Sequence, residues 1–104
     1  MSPSNNSNRV RQSNISRELK DSMRNPEIAR TYLQDALDND IKDFLVMLRV
    51  YVQANGGMNK CAEKTHLSRE ALYRMLSENG NPELRSIYAI LSAYNIRLHI
   101  QMNT

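Results

Sequence analysis

Residues 58–77 read Met58-Asn59-Lys60-Cys61-Ala62-Glu63-Lys64-Thr65-His66-Leu67-Ser68-Arg69-Glu70-Ala71-Leu72-Tyr73-Arg74-Met75-Leu76-Ser77, and their spacing decides the fold. Cys61, Ala62, Leu67, Leu72 and Met75 are small or apolar at the positions where two short crossing helices must touch. Ala62 is small where the second helix passes close above it, Leu67 plugs the turn, and Leu72 and Met75 anchor the second helix so that its other side stays free. This is helix-turn-helix spacing. The free side carries Ser68, Arg69, Glu70, Tyr73 and Arg74, with Ser68 placed to cap the second helix.

Helical periodicity continues on both sides of this pair. Upstream, Asn25-Pro26 supplies a cap and a first-turn proline, and Ile28, Tyr32, Leu33, Ala36 and Leu37 then fall on one face. Asp38-Asn39-Asp40 interrupts that helix. A broader apolar stripe follows, with Ile41, Phe44, Leu45, Leu48, Tyr51 and Val52 widened by Val46, Met47 and Val50, which predicts a central, mostly buried helix ended by Gly56-Gly57. Downstream, Asn81 and Pro82 are read as opening a further helix that runs to about Tyr94 and buries Leu84, Ile87, Leu91 and Tyr94. After Asn95 the apolar period changes to two: Ile96, Leu98, Ile100 and Met102 alternate with Arg97, His99 and Gln101. That alternation predicts one β-strand with no partner in its own chain. Ile96, Leu98 and Ile100 are accordingly expected to pair with the same strand of a second subunit, or with an edge strand of another protein. The alternative is a terminal extension lying on the helices.

Composition bounds the class. The chain has 104 residues, 14 Lys+Arg against 11 Asp+Glu, 40% hydrophobic residues and one cysteine, which suits one small domain that buries roughly two-thirds of its unfolded surface. The lone Cys61 rules out an internal disulfide framework and a cysteine-cluster metal site, so a reducing cytoplasm is the expected compartment. No stretch approaches the roughly 18 apolar residues of a membrane span. Charge is uneven along the chain: residues 1–25 carry five basic and two acidic side chains, 26–55 three and five, and 56–104 six and four. Residues 1–17 hold nine Ser or Asn, and residues 1–25 are read as a flexible basic tail ahead of a domain over 26–104. That tail is a solvated leader, a phosphate-contacting arm, or a segment that folds on a partner.

The residue types on the free helix side point to nucleic acid. A capped helix start can bring its first side chains to base edges while its orphan N–H groups meet phosphate. Ser68, Arg69, Glu70 and Tyr73 are the candidate base contacts: Arg69 for guanine, Glu70 for a cytosine amine, Tyr73 for a thymine methyl or phosphate. Asn59, Lys60, Lys64, Arg74, Ser77, Asn79 and Asn81 flank that helix and suit backbone contacts, which set register without reading sequence. Nothing points to catalysis or to a cofactor. Cys61 has no histidine beside it in sequence, His66 and His99 lack metal-ligand spacing, and Asp38, Asp40 and Asp43 straddle a helix break where acids act as caps, so no metal site is expected. There is no glycine-rich phosphate loop and no nucleophile elbow.

Over roughly residues 26–101 the sequence resembles the Xre/Cro-type helix-turn-helix regulators, and more closely the probable addiction-module antidote proteins, the antitoxins of toxin–antitoxin pairs. The resemblance rests on Ile28-Ala29-Arg30-Thr31-Tyr32-Leu33 with Ala36-Leu37 and Asp40, on Leu67-Ser68-Arg69-Glu70-Ala71-Leu72-Tyr73-Arg74, and on Gly80-Asn81-Pro82 followed by an apolar helix and a closing strand. His66 stands where the family usually has its turn glycine, and Thr65 occupies an apolar position of the pattern. The resemblance implies a protein that binds and neutralises a small RelE/ParE-like toxin and represses its own operon on double-stranded, palindromic DNA, or else a phage-repressor-like regulator with no toxin partner. With the residue pattern it gives the expected architecture: mainly α, a five-helix Xre/Cro-like domain with a flexible N-terminal tail and one C-terminal β-strand, forming a homodimer. No motif marks the toxin contacts; the tail, the acidic helix with Glu27, Asp35 and Asp38, and the edge strand are the candidates.

Overall fold

The computed structural model describes residues 16–103. Six helices follow one another: α1 Ser16–Ser22, α2 Pro26–Asn39, α3 Ile41–Ala54, α4 Gly57–Thr65, α5 Arg69–Met75 and α6 Leu84–Ala93. Helix α3 is central, packing against α1, α2 and α4, while α4 also carries α5 and α6. The broad apolar stripe of α3 is the reason. Phe44, Leu45, Leu48 and Val52 are all buried, on a helix flanked by neighbours on several sides.

Local chemistry sets the helix ends. The Asn25 side chain accepts from the N–H groups of Glu27 and Ile28 at 2.9 and 3.3 Å, with Pro26 in the first turn. Asp40 repeats this for α3 by accepting from the Lys42 N–H at 3.0 Å. Helix α2 turns Ala29, Leu33 and Ala36 inward. Ile28 and Tyr32, grouped with them by spacing, lie at the rim of that face and stay exposed. The core closes with Leu72 and Leu76 from the α5 region and Ile87, Ile90 and Leu91 from α6. Each such side chain contributes about 1.5–3 kcal/mol by leaving water.

Three sequence expectations are corrected here. The first is the helix count, six where five are expected. Helix α1 precedes residue 26, and Met23 just after it is fully buried. The end of α3 holds this segment: the Asn55 side-chain amide donates to the Met23 carbonyl at 3.2 Å, and Arg24 Nε donates to the Ala54 carbonyl at 3.4 Å. Residues 1–15 of the expected tail lie outside the described residues.

The second correction is the C-terminal β-strand: among the described residues there is none. Asn95 adopts the left-handed conformation, φ 59°, past the end of α6. Its N–H then bonds the Ser92 carbonyl at 3.1 Å, and the Ile96 N–H bonds the Leu91 carbonyl at 2.9 Å. This pairing is a Schellman stop, which satisfies the last carbonyls of α6 and lays Ile96 against the core. Ile96 is thus used within its own chain. Leu98, Ile100 and Met102 are 46, 86 and 79% exposed in an irregular segment with no neighbouring strand. An alternating pattern gives a strand only when another edge offers hydrogen bonds.

The third correction concerns the start of α6. Asn81, Pro82 and Glu83 are not helical, Glu83 being extended at ψ 149°. The extended linker carries the chain from α5 back to α4, on which α6 packs. Leu84, expected in the core, is the first residue of α6 and 74% exposed.

Candidate nucleic-acid interface

Helices α4 and α5 meet through the three-residue turn His66-Leu67-Ser68. His66 takes the left-handed conformation, φ 62° and ψ 21°, and its N–H closes α4 onto the Ala62 carbonyl at 2.8 Å. A histidine tolerates this conformation at a cost glycine avoids. Thr65 compensates: its hydroxyl donates to the Cys61 carbonyl at 2.7 Å and accepts from the Leu67 N–H at 3.3 Å. The Thr65 side chain thus stitches the turn. Ser68 caps α5 by accepting from the Ala71 N–H at 3.0 Å, and Leu72 is buried beneath the helix.

The free side of α5 carries Ser68, Arg69, Glu70 and Arg74, all exposed. Tyr73, on the same helix, is less exposed than these four. It is half-buried and packed against the core rim, with the Arg49 and Arg69 guanidinium carbons 4.9 and 5.5 Å from its ring centroid. Cation–π attraction and packing engage part of the ring inside the molecule. Asn59, Lys60 and Lys64 are exposed on α4, and Asn79 and Asn81 in the loop after α5. Ser77 is half-buried, its hydroxyl donating to the Arg74 carbonyl at 2.9 Å. Lys64 Nζ lies 4.8 Å from the Tyr94 ring centroid, which draws part of its charge back onto the protein.

Ion pairs among the described residues form at Arg24–Asp21 and Arg85–Glu83. Neither involves Lys60, Lys64, Arg69 or Arg74, so these cations are available to an anionic partner. Glu63 on α4 and Glu70 on α5 are exposed acids among them.

Behind this surface Cys61, Tyr94 and Tyr51 lie together. Cys61 is fully buried, and burial pushes its thiol pKa up from 9.0 against smaller opposing effects of Tyr94, Lys64 and Thr65. The Tyr94 hydroxyl is buried beside it, and burial, then Cys61 and Tyr51, drives the phenol far above its ordinary range. Tyr51 meets the Tyr94 ring edge-on at 5.6 Å, and burial raises its phenol too. A thiol held neutral and out of solvent is a packing group. Among the described residues no three His, Cys, Asp or Glu side chains gather as a metal site. No helix there is long and apolar enough to cross a membrane.

Over residues 11–102 the chain matches the family described as probable addiction module antidote protein. It belongs to that family. An uncharacterised protein of Haemophilus influenzae strain Rd is 26% identical over 77 residues, which is 74% of this chain and 79% of that relative. No solved structure matches.

Three residues shape the α5 surface in ways that the sequence pattern does not assign. Arg49, on α3, touches both Tyr73 and the Leu76 carbonyl. Leu76 is fully buried just after α5. Gly80 passes so close to the helix end that a Cβ there would lie 2.1 Å from the Met75 carbonyl oxygen. Leu76 continues the Leu72 stripe at a spacing of four and could have been found by periodicity. Arg49 and Gly80 depend on approaches that no local pattern encodes.

Proposed function

We propose that this chain is the antidote of a type II toxin–antitoxin module, binding and neutralising a small RelE/ParE-like toxin and repressing its own operon as a DNA-bound homodimer. The family supplies the antidote role. The observation that supports DNA binding is the exposed start of α5: a capped helix end with Ser68, Arg69 and Glu70 outward, and around it Lys60, Lys64 and Arg74, which form no ion pair among the described residues. In this reading α4 and α5 form an Xre-type helix-turn-helix. Arg69 and Glu70 read bases, Ser68 contributes its hydroxyl beside them, and Lys60, Lys64, Arg74, Asn59, Asn79, Asn81 and Ser77 meet or border the phosphates. Two copies related by a two-fold axis place their α5 helices in successive major grooves about one helical turn apart. The function is binding rather than catalysis, in the cytoplasm where the operon and the toxin are found.

The helix α2 is the surface that suits the toxin best. It exposes Ile28 and Tyr32 beside Glu27, Asp35 and Asp38, none of which is ion-paired among the described residues.

The experiment is binding to the duplex upstream of the protein's own gene, against scrambled competitor at two salt concentrations, with and without Arg69→Ala. A two-fold footprint that survives competitor is expected, with Arg69→Ala costing about 10-fold or more on the operator, one guanine contact's worth, and far less on random DNA. Equal losses on both duplexes would remove the base-reading role. Co-purification of a toxin encoded beside the gene separates the antidote from a stand-alone repressor.

A further inference from the structure

We propose that Arg49 is a positioning residue for the α5 reading face, acting through Tyr73 on Arg69; this rests on the DNA-binding reading above. Arg49 lies on α3, outside the α4 and α5 pair, and is half-buried. It touches α5 in two places. Its guanidinium sits 4.9 Å from the Tyr73 ring centroid, and Nη1 donates a long hydrogen bond of 3.5 Å to the carbonyl of Leu76, the residue that caps the C-terminal end of α5. Both contacts favour a cation, one through the negative face of the ring and the other through the negative end of the helix.

No carboxylate among the described residues pairs with Arg49, so these two groups are what hold its charge. The same ring holds Arg69 at 5.5 Å. Arg69 opens α5 and Leu76 follows its end, so Tyr73 links a buried-side cation to a reading-side cation along the helix. Two guanidinium groups near one ring repel each other, and the ring is what offsets that repulsion. The arrangement restricts the Arg69 side chain before DNA arrives, and it fixes the tilt of α5 on α3. A planar guanidinium can serve ring and carbonyl together, which the single ammonium of lysine does less well.

The test uses duplexes that the full-length wild-type protein selects from a random-sequence library. Affinity for a selected and a scrambled duplex is measured at two salt concentrations for wild type, Arg49→Met, Arg49→Lys, Tyr73→Leu and the Arg49→Met/Tyr73→Leu double variant. Arg49→Met and Tyr73→Leu are each expected to cut the selected-to-scrambled ratio by about five- to tenfold, with an unchanged salt slope. The double variant is expected to lose no more than the worse single, because both act on one path. Arg49→Lys should recover only part of the ratio. A salt slope lowered by about one with the ratio intact would make Arg49 a phosphate contact and overturn the proposal. Full rescue by lysine would overturn it too, since charge alone would then suffice.

Should Arg49→Met fail to fold, Arg49→Lys and Tyr73→Leu carry the binding test. Proton NMR of the wild type supplies a further reading: the Arg49 side-chain protons should show an upfield ring-current shift that disappears in Tyr73→Leu. Absence of that shift refutes the stacking. If the wild type selects no sequence at all, the DNA reading itself falls and this inference with it; selection untouched by Arg49→Met and Tyr73→Leu sinks this inference alone.

Discussion

Replacing Gly80 with alanine tests whether the end of α5 is held by backbone packing. A Cβ at position 80 would stand 2.1 Å from the Met75 carbonyl oxygen, 2.8 Å from its carbon and 2.9 Å from the Arg74 oxygen. Real Cβ contacts essentially never fall under 3.0 Å, so Met75 or the loop must move. These neighbours are main-chain atoms of the α5 end and cannot rotate aside as a side chain would. Gly80 is also tethered, its N–H donating to the Ser77 carbonyl at 2.9 Å. Forced overpacking of this kind costs about 1–3 kcal/mol. The alanine returns about 0.4–1 kcal/mol by stiffening the unfolded chain. The difference, roughly 0–2.6 kcal/mol, falls in its upper half of about 1.3–2.6 kcal/mol because the clashing atoms are main chain, which corresponds to roughly 5–20 °C of melting midpoint for a domain of this size. Thermal unfolding followed by circular dichroism measures it. Amide shifts of Arg74, Met75 and Ser77 should move most, because the displacement starts there. A midpoint within about 2 °C of wild type, where about 5 °C or more is expected, would refute the close approach and the reasoning built on it.

His66→Gly should raise the midpoint or leave it unchanged, since glycine removes a left-handed cost of about 1–2 kcal/mol and gives back about 0.5–1 kcal/mol in chain entropy; a clear drop in calorimetry would mean the imidazole makes contacts that the turn needs. Stability should fall on the alkaline side. Cys61, Tyr51 and Tyr94 all have pKa values raised by burial, so the folded state keeps protons the unfolded chain releases. Their contribution is full below the ordinary values of 9.0 for the thiol and 10.0 for the phenols, and is lost as pH rises beyond them. Urea midpoints measured between pH 7 and 11 check the sign, and a flat profile contradicts it. Under native conditions at neutral pH, iodoacetamide should leave Cys61 unmodified.

Much of the helical framework could be read from local chemistry. The Asn25-Pro26 and Ser68 caps, the broad stripe of α3, and the small and apolar positions of residues 58–77 each carry a signal within a few residues. Helix α1 could not, because its seven residues carry one large apolar side chain, Leu19, too few to show a period; its place is set by Asn55 and Arg24 reaching across to main-chain carbonyls. The alternation at 96–102 was misread because a period of two reports side-chain sorting and not pairing, and Ile96 was already committed to the end of α6. On the interface, Ser68, Arg69, Glu70 and Arg74 stand exposed on α5 as the spacing suggests. Tyr73 does not, because its partner Arg49 lies on another helix and a contact between distant residues leaves no mark in a local pattern.

Asp40 joins α2 to α3 with no loop. Its N–H closes the last turn of α2 on Ala36 at 3.0 Å, its carboxylate caps Lys42, and its carbonyl accepts from Phe44 at 3.1 Å. One residue serves two helices, so chain length is frozen at this point. Adding or deleting a residue within the end of α2 would rotate the rest of that helix by about 100° about its axis and carry it about 1.5 Å along it. Leu33 and Ala36 would then turn out of the core and charged neighbours would turn in. Chain length at Asp40 is therefore a tighter constraint on this corner than the packing of any one side chain beside it.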